Sequence, residues 1–220
     1  TYFYVDMKTP GIEAKPIKQI SGSANFNEVF FNDVRIPDSQ RIGAEGDGWK
    51  VSLTTLMNER LAVGDPPGLD FDQIFEASKE IEVEDGLAVK NSEVRQKMAD
   101  WYIQSRGLQY TKYRSMTALS KGQTPGPELS ISKLVTASKM QDVSSYALDL
   151  MDMSGMVHQD QNPILKNLFQ NGYFFSAAMR IAGGTDEVLR NIIAERVLGL
   201  PQDERSDKKL PFNELPSGKN

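Results

Sequence analysis

Residues 92–121 read SEVRQKMADWYIQSRGLQYTKYRSMTALSK, thirty positions without a proline. Val94, Met98, Trp101, Leu108, Met116 and Leu119 recur within them at helical spacings and mark one inner face. Strands rarely exceed ten residues, so this run predicts a long helix, and the rest of the chain has to be arranged around it. Downstream, Gly122, Pro125, Gly126 and Pro127 form a loop. A further helix is expected over 128–153, with Leu134, Ala137, Met140, Ala147, Leu148 and Met151 turned inward. Helices over 163–179 and 186–198 complete the set, and antiparallel helices on short loops make a bundle. The polar tail, 202–220, is expected to extend over the surface or onto a partner subunit.

Upstream, a helix is expected from the N-cap Asp47 to about Val63, with Leu53, Met57 and Leu61 at i, i+4 and i+8. Gly64-Asp65-Pro66-Pro67-Gly68 stops it. A shorter helix over 71–81 leads to the acidic stretch Glu82-Val83-Glu84-Asp85-Gly86. The first 45 residues or so read as β: a run over 2–5, a second strand over 12–20 and a third over 26–36. Three strands alone are marginal, so they are expected to pack on the helices or on further strands. The chain opens directly in a strand-like run without Met, which suggests a piece of a longer protein. The fold class is therefore α+β, mainly α: a partial β domain (1–45), a four-helix-type bundle (46–201) and an extended tail (202–220).

Composition narrows the function. The chain has 220 residues, 39% hydrophobic and 25% charged, which suits a globular domain. It contains no cysteine, which removes disulfides, thiolate nucleophiles and cysteine zinc sites. Absence of cysteine fits a reducing compartment. A net charge of −5 with no basic stripe argues against nucleic acid, and no apolar run is long enough for a membrane span. His158 is the only histidine, so neither a zinc site nor a Ser-His-Asp triad has support, no metal is expected, and His158 reads as a loop or surface residue. The methionines read mainly as fillers of core gaps.

Three stretches carry a family resemblance. They are Phe26-Asn27-Glu28-Val29-Phe30-Phe31-Asn32-Asp33-Val34-Arg35-Ile36-Pro37; Gly46-Asp47-Gly48-Trp49-Lys50 with Thr54-Thr55-Leu56-Met57-Asn58-Glu59-Arg60; and residues 183–201, opening Gly183-Gly184-Thr185-Asp186-Glu187 and closing Leu198-Gly199-Leu200-Pro201. In this order they resemble the last β-domain strand, the entry to the first bundle helix and the closing helix of the acyl-CoA dehydrogenases. The resemblance implies an FAD-dependent enzyme that removes the α-proton of an acyl-CoA thioester and passes the β-hydrogen as hydride to flavin. It also implies an electron-transfer flavoprotein as acceptor and assembly into homo- or hetero-oligomers, dimers or tetramers.

Such chemistry needs a carboxylate base in a dry pocket and hydrogen bonds to the developing enolate oxygen. Many family members place the base immediately before the Gly-Thr pair, where this chain has Gly183. Others place it before an Arg on the first bundle helix, which matches Glu59, with Asn58 and Arg60 beside it at the substrate. Glu59 lies about 200° around the helix from Met57 and Leu61, with Leu56 and Val63 as apolar neighbours that would raise its pKa. Taken alone, Glu59 is a solvated helix carboxylate and Arg60 a structural ion-pair partner; the family position makes Glu59 the base.

The resemblance likewise sets Gly184, Thr185, Asp186 and Glu187 against the cofactor. Locally, Thr185 as an N-cap and acids in the first turn explain the same residues without a ligand. Two further departures stand out. Glu82-Val83-Glu84-Asp85 occupies the place of an Arg-rich stretch that reaches a neighbour's FAD diphosphate, and Met151-Asp152-Met153-Ser154-Gly155 replaces a Gln-x-x-Gly-Gly segment. Gly183 and the acidic 82–85 stretch favour a second reading, a non-catalytic subunit of a heteromeric dehydrogenase, against which Glu59 argues. A third is a flavin monooxygenase on the same fold.

Overall fold

The computed structural model describes residues 1–62, 69–123, 126, 129–157, 164–204, 210 and 212–215, with only the backbone described for 57–62, 129, 164–166 and 212. Four short strands open it. β1 (Tyr2–Phe3) pairs antiparallel with β4 (Arg41–Ile42), and β2 (Ile12–Ile17) with β3 (Phe26–Phe31), Ile12 opposite Phe31 and Ile17 opposite Phe26. The third strand was expected to reach Ile36 but ends at Phe31. Asp33 has a φ of 51°, which leaves the extended region. β4 was not anticipated, because two residues carry no readable alternation.

α1 (Gly48–Ala62) starts directly after Asp47, as the N-cap reading requires, and lies against β1. Leu53, expected inside, is 43% exposed. Its helix packs mainly on a two-residue strand, which is too small to cover a helix face. The side chains of Met57 and Leu61 lie outside the described residues.

α2 (Phe71–Ser78) begins with a capping box. Asp70 Oδ1 accepts the Phe71 N–H at 2.6 Å, and Gln73 Oε1 accepts the Asp70 N–H at 2.9 Å. The acidic stretch after it is a hairpin, β5 (Glu82–Val83) with β6 (Gly86–Leu87). Glu82, Glu84 and Asp85 are exposed, while Val83 turns toward the helical core. α3 (Ser92–Ser120) is capped by Asn91, whose Oδ1 accepts the Glu93 and Val94 N–H groups at 3.0 and 3.2 Å. α4 (Leu129–Leu150) stops short of the expected Met153, since Asp152 takes a φ of 50°, and α5 (Met153–Met156) follows as a separate turn. α6 (Ile164–Met179) and α7 (Asp186–Ile192) follow; α7 runs into a π-helical turn over Ile193–Val197.

The core is one cluster built around α4, which packs on α2, α3, α6 and α7. Met140, Val143 and Ala147 of α4 meet Val94, Met98 and Trp101 of α3, Ile74 and Ala77 of α2, and Phe169 of α6. Each set repeats at three or four residues, so each helix buries one stripe. α6 comes close to α4 because Gly172 has no side chain: a Cβ there would run into Leu69 and the Ser144 hydroxyl. The chain is mainly helical with short strands, as expected. The inner face read along all of α3 holds only for its first part, since Met116 and Leu119 are exposed. At 29 residues, about 43 Å at 1.5 Å per residue, α3 outruns the elements packed on it.

Candidate functional site

Between α6 and α7 the chain turns on Gly183 and Gly184, whose φ values are 68° and 108°. Only glycine takes that conformation without strain. A Cβ at Gly183 would meet nothing within 4 Å, so the position has space for a side chain but a backbone that disfavours one. The Thr185 hydroxyl then accepts the Val188 N–H at 3.3 Å and caps α7.

Gly184, Thr185, Asp186 and Glu187 thus fall in one turn, but its two acids sit differently. Asp186 is 2% exposed; its Oδ2 accepts from Arg180 Nε at 2.6 Å, and its Oδ1 is buried without a hydrogen-bond partner among the described residues. Arg180 also donates to Gln141 Oε1 at 2.7 Å, tying the turn to α4. Glu187 is exposed. Hydrogen bonds from its own backbone N–H and from the Thr185 hydroxyl hold its carboxyl below the usual carboxylate range.

A second tie comes from Lys133 of α4, whose Nζ donates to the Gly184 carbonyl oxygen at 2.6 Å. Partial burial pushes its ammonium below the ordinary lysine range, with Asp186 working in the opposite direction and Arg180 adding to the fall. Among the described residues nothing accepts the Thr185 backbone N–H. The turn therefore offers a glycine backbone with room above it, an N–H without an acceptor among the described residues and a carboxylate at the surface.

Asn58, Glu59 and Arg60 lie in the backbone of α1, in its last turn or so; their side chains, like the whole of His158, lie outside the described residues. An open groove of about 480 Å³ runs along the end of α3 between Tyr110, Tyr113, Arg114 and Lys121, and none of the turn residues lines it. Among the described residues no group of three or more His, Cys, Asp or Glu side chains is placed to hold a metal, and no helix is long and apolar enough to cross a membrane.

Sequence reasoning missed two features. One is Lys133, which reads as one more polar residue early in α4. The other is a buried polar node further along the same helix. Lys139, with 2% of its side chain exposed, donates to Asp70 Oδ1 and to Ser105 Oγ, both at 2.8 Å, and Ser105 hydrogen-bonds the same Asp70 oxygen. Burial raises the Asp70 carboxyl, but hydrogen bonds from Lys139, Ser105 and the Phe71 N–H, with the lysine charge, outweigh it and leave it lowered. The node joins the start of α2 to α3 and α4. The only available hint was a lysine set between Ala137 and Met140 on the inner stripe.

The chain as a whole resembles known proteins. Residues 46–198 match the family described as acyl-CoA dehydrogenase, C-terminal domain. The acyl-CoA dehydrogenase FadE34 of Mycobacterium tuberculosis is 32% identical over 92% of this chain and 27% of its own length. The acyl-CoA dehydrogenase IpdE1 of the same organism is 34% identical over 93% of this chain and 52% of its own. The chain thus spans about half or less of these curated relatives. Among solved structures, the ChsE4-ChsE5 complex from Mycobacterium tuberculosis superposes with a TM-score of 0.69 at 19% identity, over 92% of this chain and 52% of that one.

Proposed function

Because this chain belongs to the acyl-CoA dehydrogenase family, we propose that it forms the β-domain end (1–45), bundle (46–201) and tail (202–220) of an enzyme for α,β-dehydrogenation of an acyl-CoA. Glu59 is the base that takes the α-proton, and Asn58 and Arg60 flank the thioester. FAD, when bound, accepts the β-hydrogen as hydride and hands the electrons to an electron-transfer flavoprotein. Gly184, Thr185, Asp186 and Glu187 form its contact on this chain. Gly184 leaves the backbone open to close approach, Thr185 presents its N–H, Glu187 supplies a surface carboxylate, and Asp186 acts from beneath by bracing Arg180. The protein works in the bacterial cytoplasm as a homo- or hetero-oligomer.

The observation that carries this reading is the φ of 68° at Gly183. An acid there would have to hold a left-handed backbone, which costs a non-glycine residue about 1–2 kcal/mol. Gly183 itself carries no carboxyl, so the base has to come from elsewhere, and the Asn58-Glu59-Arg60 segment of α1 lies inside the matched domain. The test is acyl-CoA-dependent bleaching of the flavin in the full-length protein. Glu59→Gln, which keeps shape and removes basicity, is expected to slow bleaching by roughly 10²–10⁴-fold. Bleaching at the unaltered rate would reject Glu59.

A second reading, a non-catalytic subunit of a heteromeric dehydrogenase, is favoured by the exposed carboxylates of the β5–β6 hairpin, which would repel a neighbour's diphosphate. It predicts that the full-length protein alone retains no FAD and acquires it only with a second, different subunit.

A further inference from the structure

We propose that Lys133 is a positioning residue that fixes the plane of the Gly184–Thr185 peptide and so aims the Thr185 N–H at the cofactor. This rests on the reading of the 183–187 turn as cofactor-facing.

A peptide bond is planar and, here, trans, so its carbonyl oxygen and its N–H point in opposite directions. Lys133 Nζ holds the Gly184 oxygen at 2.6 Å. The N–H on the other side of that plane belongs to Thr185, and no described group accepts it. Gly183 and Gly184 are the two residues least able to hold this plane themselves, because glycine rotates freely about both backbone torsions. Without an external anchor, the peptide between two such positions and a helix cap has other orientations open to it.

The choice of acceptor points the same way. A carboxylate is a stronger partner for an ammonium than a neutral carbonyl. Asp186 Oδ1 is buried nearby with no hydrogen-bond partner among the described residues, close enough for its charge to act on Lys133. Yet Asp186 takes its cation from Arg180, and the lysine is bonded to the turn. Two cations from two helical regions thus divide the work: Arg180 neutralises the buried acid, and Lys133 sets the backbone.

The experiment compares the full-length wild type with Lys133→Met and Lys133→Arg, reading FAD dissociation constant and hydrogen exchange. Lys133→Met keeps the stem and removes the donor. It is expected to weaken FAD by on the order of tenfold and to speed exchange in the segment 181–189 while leaving α3 and the centre of α4 unchanged. Lys133→Arg, which still donates to a carbonyl, is expected to restore most of both. Wild-type values for Lys133→Met in both readouts would overturn the proposal. So would faster exchange throughout α4 and α6 with no rescue by arginine, which would make Lys133 a general structural residue. If the wild type itself binds no FAD, the cofactor reading fails, while the local exchange difference still decides whether Lys133 holds the turn. Should Lys133→Met not fold, Lys133→Gln, a donor on a shorter stem, takes its place with an intermediate change expected in both readouts.

Discussion

The first 47 residues and the helices after residue 69 have similar apolar content, and they bury it very differently. Not one of the first 47 residues is buried; Phe26, Phe30 and Phe31 stand open on strands with no layer against either face. In the helical part, Ile74, Trp101, Val143 and Phe169 are sealed almost completely. The difference is one of opposing surfaces rather than of hydrophobicity. A helix stripe finds its complement on neighbouring helices of the same chain, whereas a two-stranded ribbon has two faces and needs partners for both. Stability of the described chain should therefore be concentrated in the bundle.

Phe169→Ala tests the buried half most severely. Phe169 is 0% exposed on α6, in contact with the cluster that α2, α3 and α4 share. Its loss removes a large apolar group and leaves a cavity, at a cost of about 3–5 kcal/mol, visible as a lowered urea midpoint. A cost below about 1 kcal/mol would mean that the α4–α6 contact is not the centre of the core.

Lys139→Met comes next, and it asks whether the polar node belongs to the same cooperative unit. Breaking a buried ion pair from one side typically costs about 3–5 kcal/mol. Asp70 keeps access to solvent, with 45% of its side chain exposed, so the loss here is expected at about 2 kcal/mol. The same node predicts a pH dependence. Asp70 is held below its ordinary value in the folded chain, so its contribution is full above the unfolded carboxylate pKa of about 3.9 and disappears as pH falls through the lower folded value. Acid unfolding curves of Asp70→Asn should lack that fall. Equal acid sensitivity in wild type and variant would detach the node from stability.

How far these features could be read in advance follows from the same contrast. Periods of three and four residues found the stripes of α3 and α4 because each helix carries its own pattern. They overran on α3, where Met116 and Leu119 have the right spacing but stay exposed, and on α1, where Leu53 stays 43% exposed. Pattern reports which residues seek burial; length and neighbours decide which obtain it. The turn at 183–187 was legible for a different reason: Gly-Gly followed by Thr and two acids states a chain reversal and a capped helix in local terms. Lys133 and Lys139 were not legible, because their partners lie far along the sequence, Gly184 and Asp70, and no local rule connects a lysine to a distant carbonyl or carboxylate.

The smallest expected effect sharpens the comparison from the exposed side. Phe30 of β3 is 42% exposed, and the Lys15 ammonium lies 5.1 Å from its ring centroid. Exposed cation–π contacts contribute about 0.5–1 kcal/mol, and a half-open ring has limited apolar area left to lose. Phe30→Ala in the 220-residue chain should thus shift stability by no more than about 1 kcal/mol, against the several lost at Phe169. The same substitution in the full-length protein is the sharper measurement. A cost that rises to about 3 kcal/mol there would show that another layer covers this strand. A cost that stays small would show that the strand remains open, and the division of the molecule into a sealed bundle and an uncovered ribbon would then hold for the whole protein.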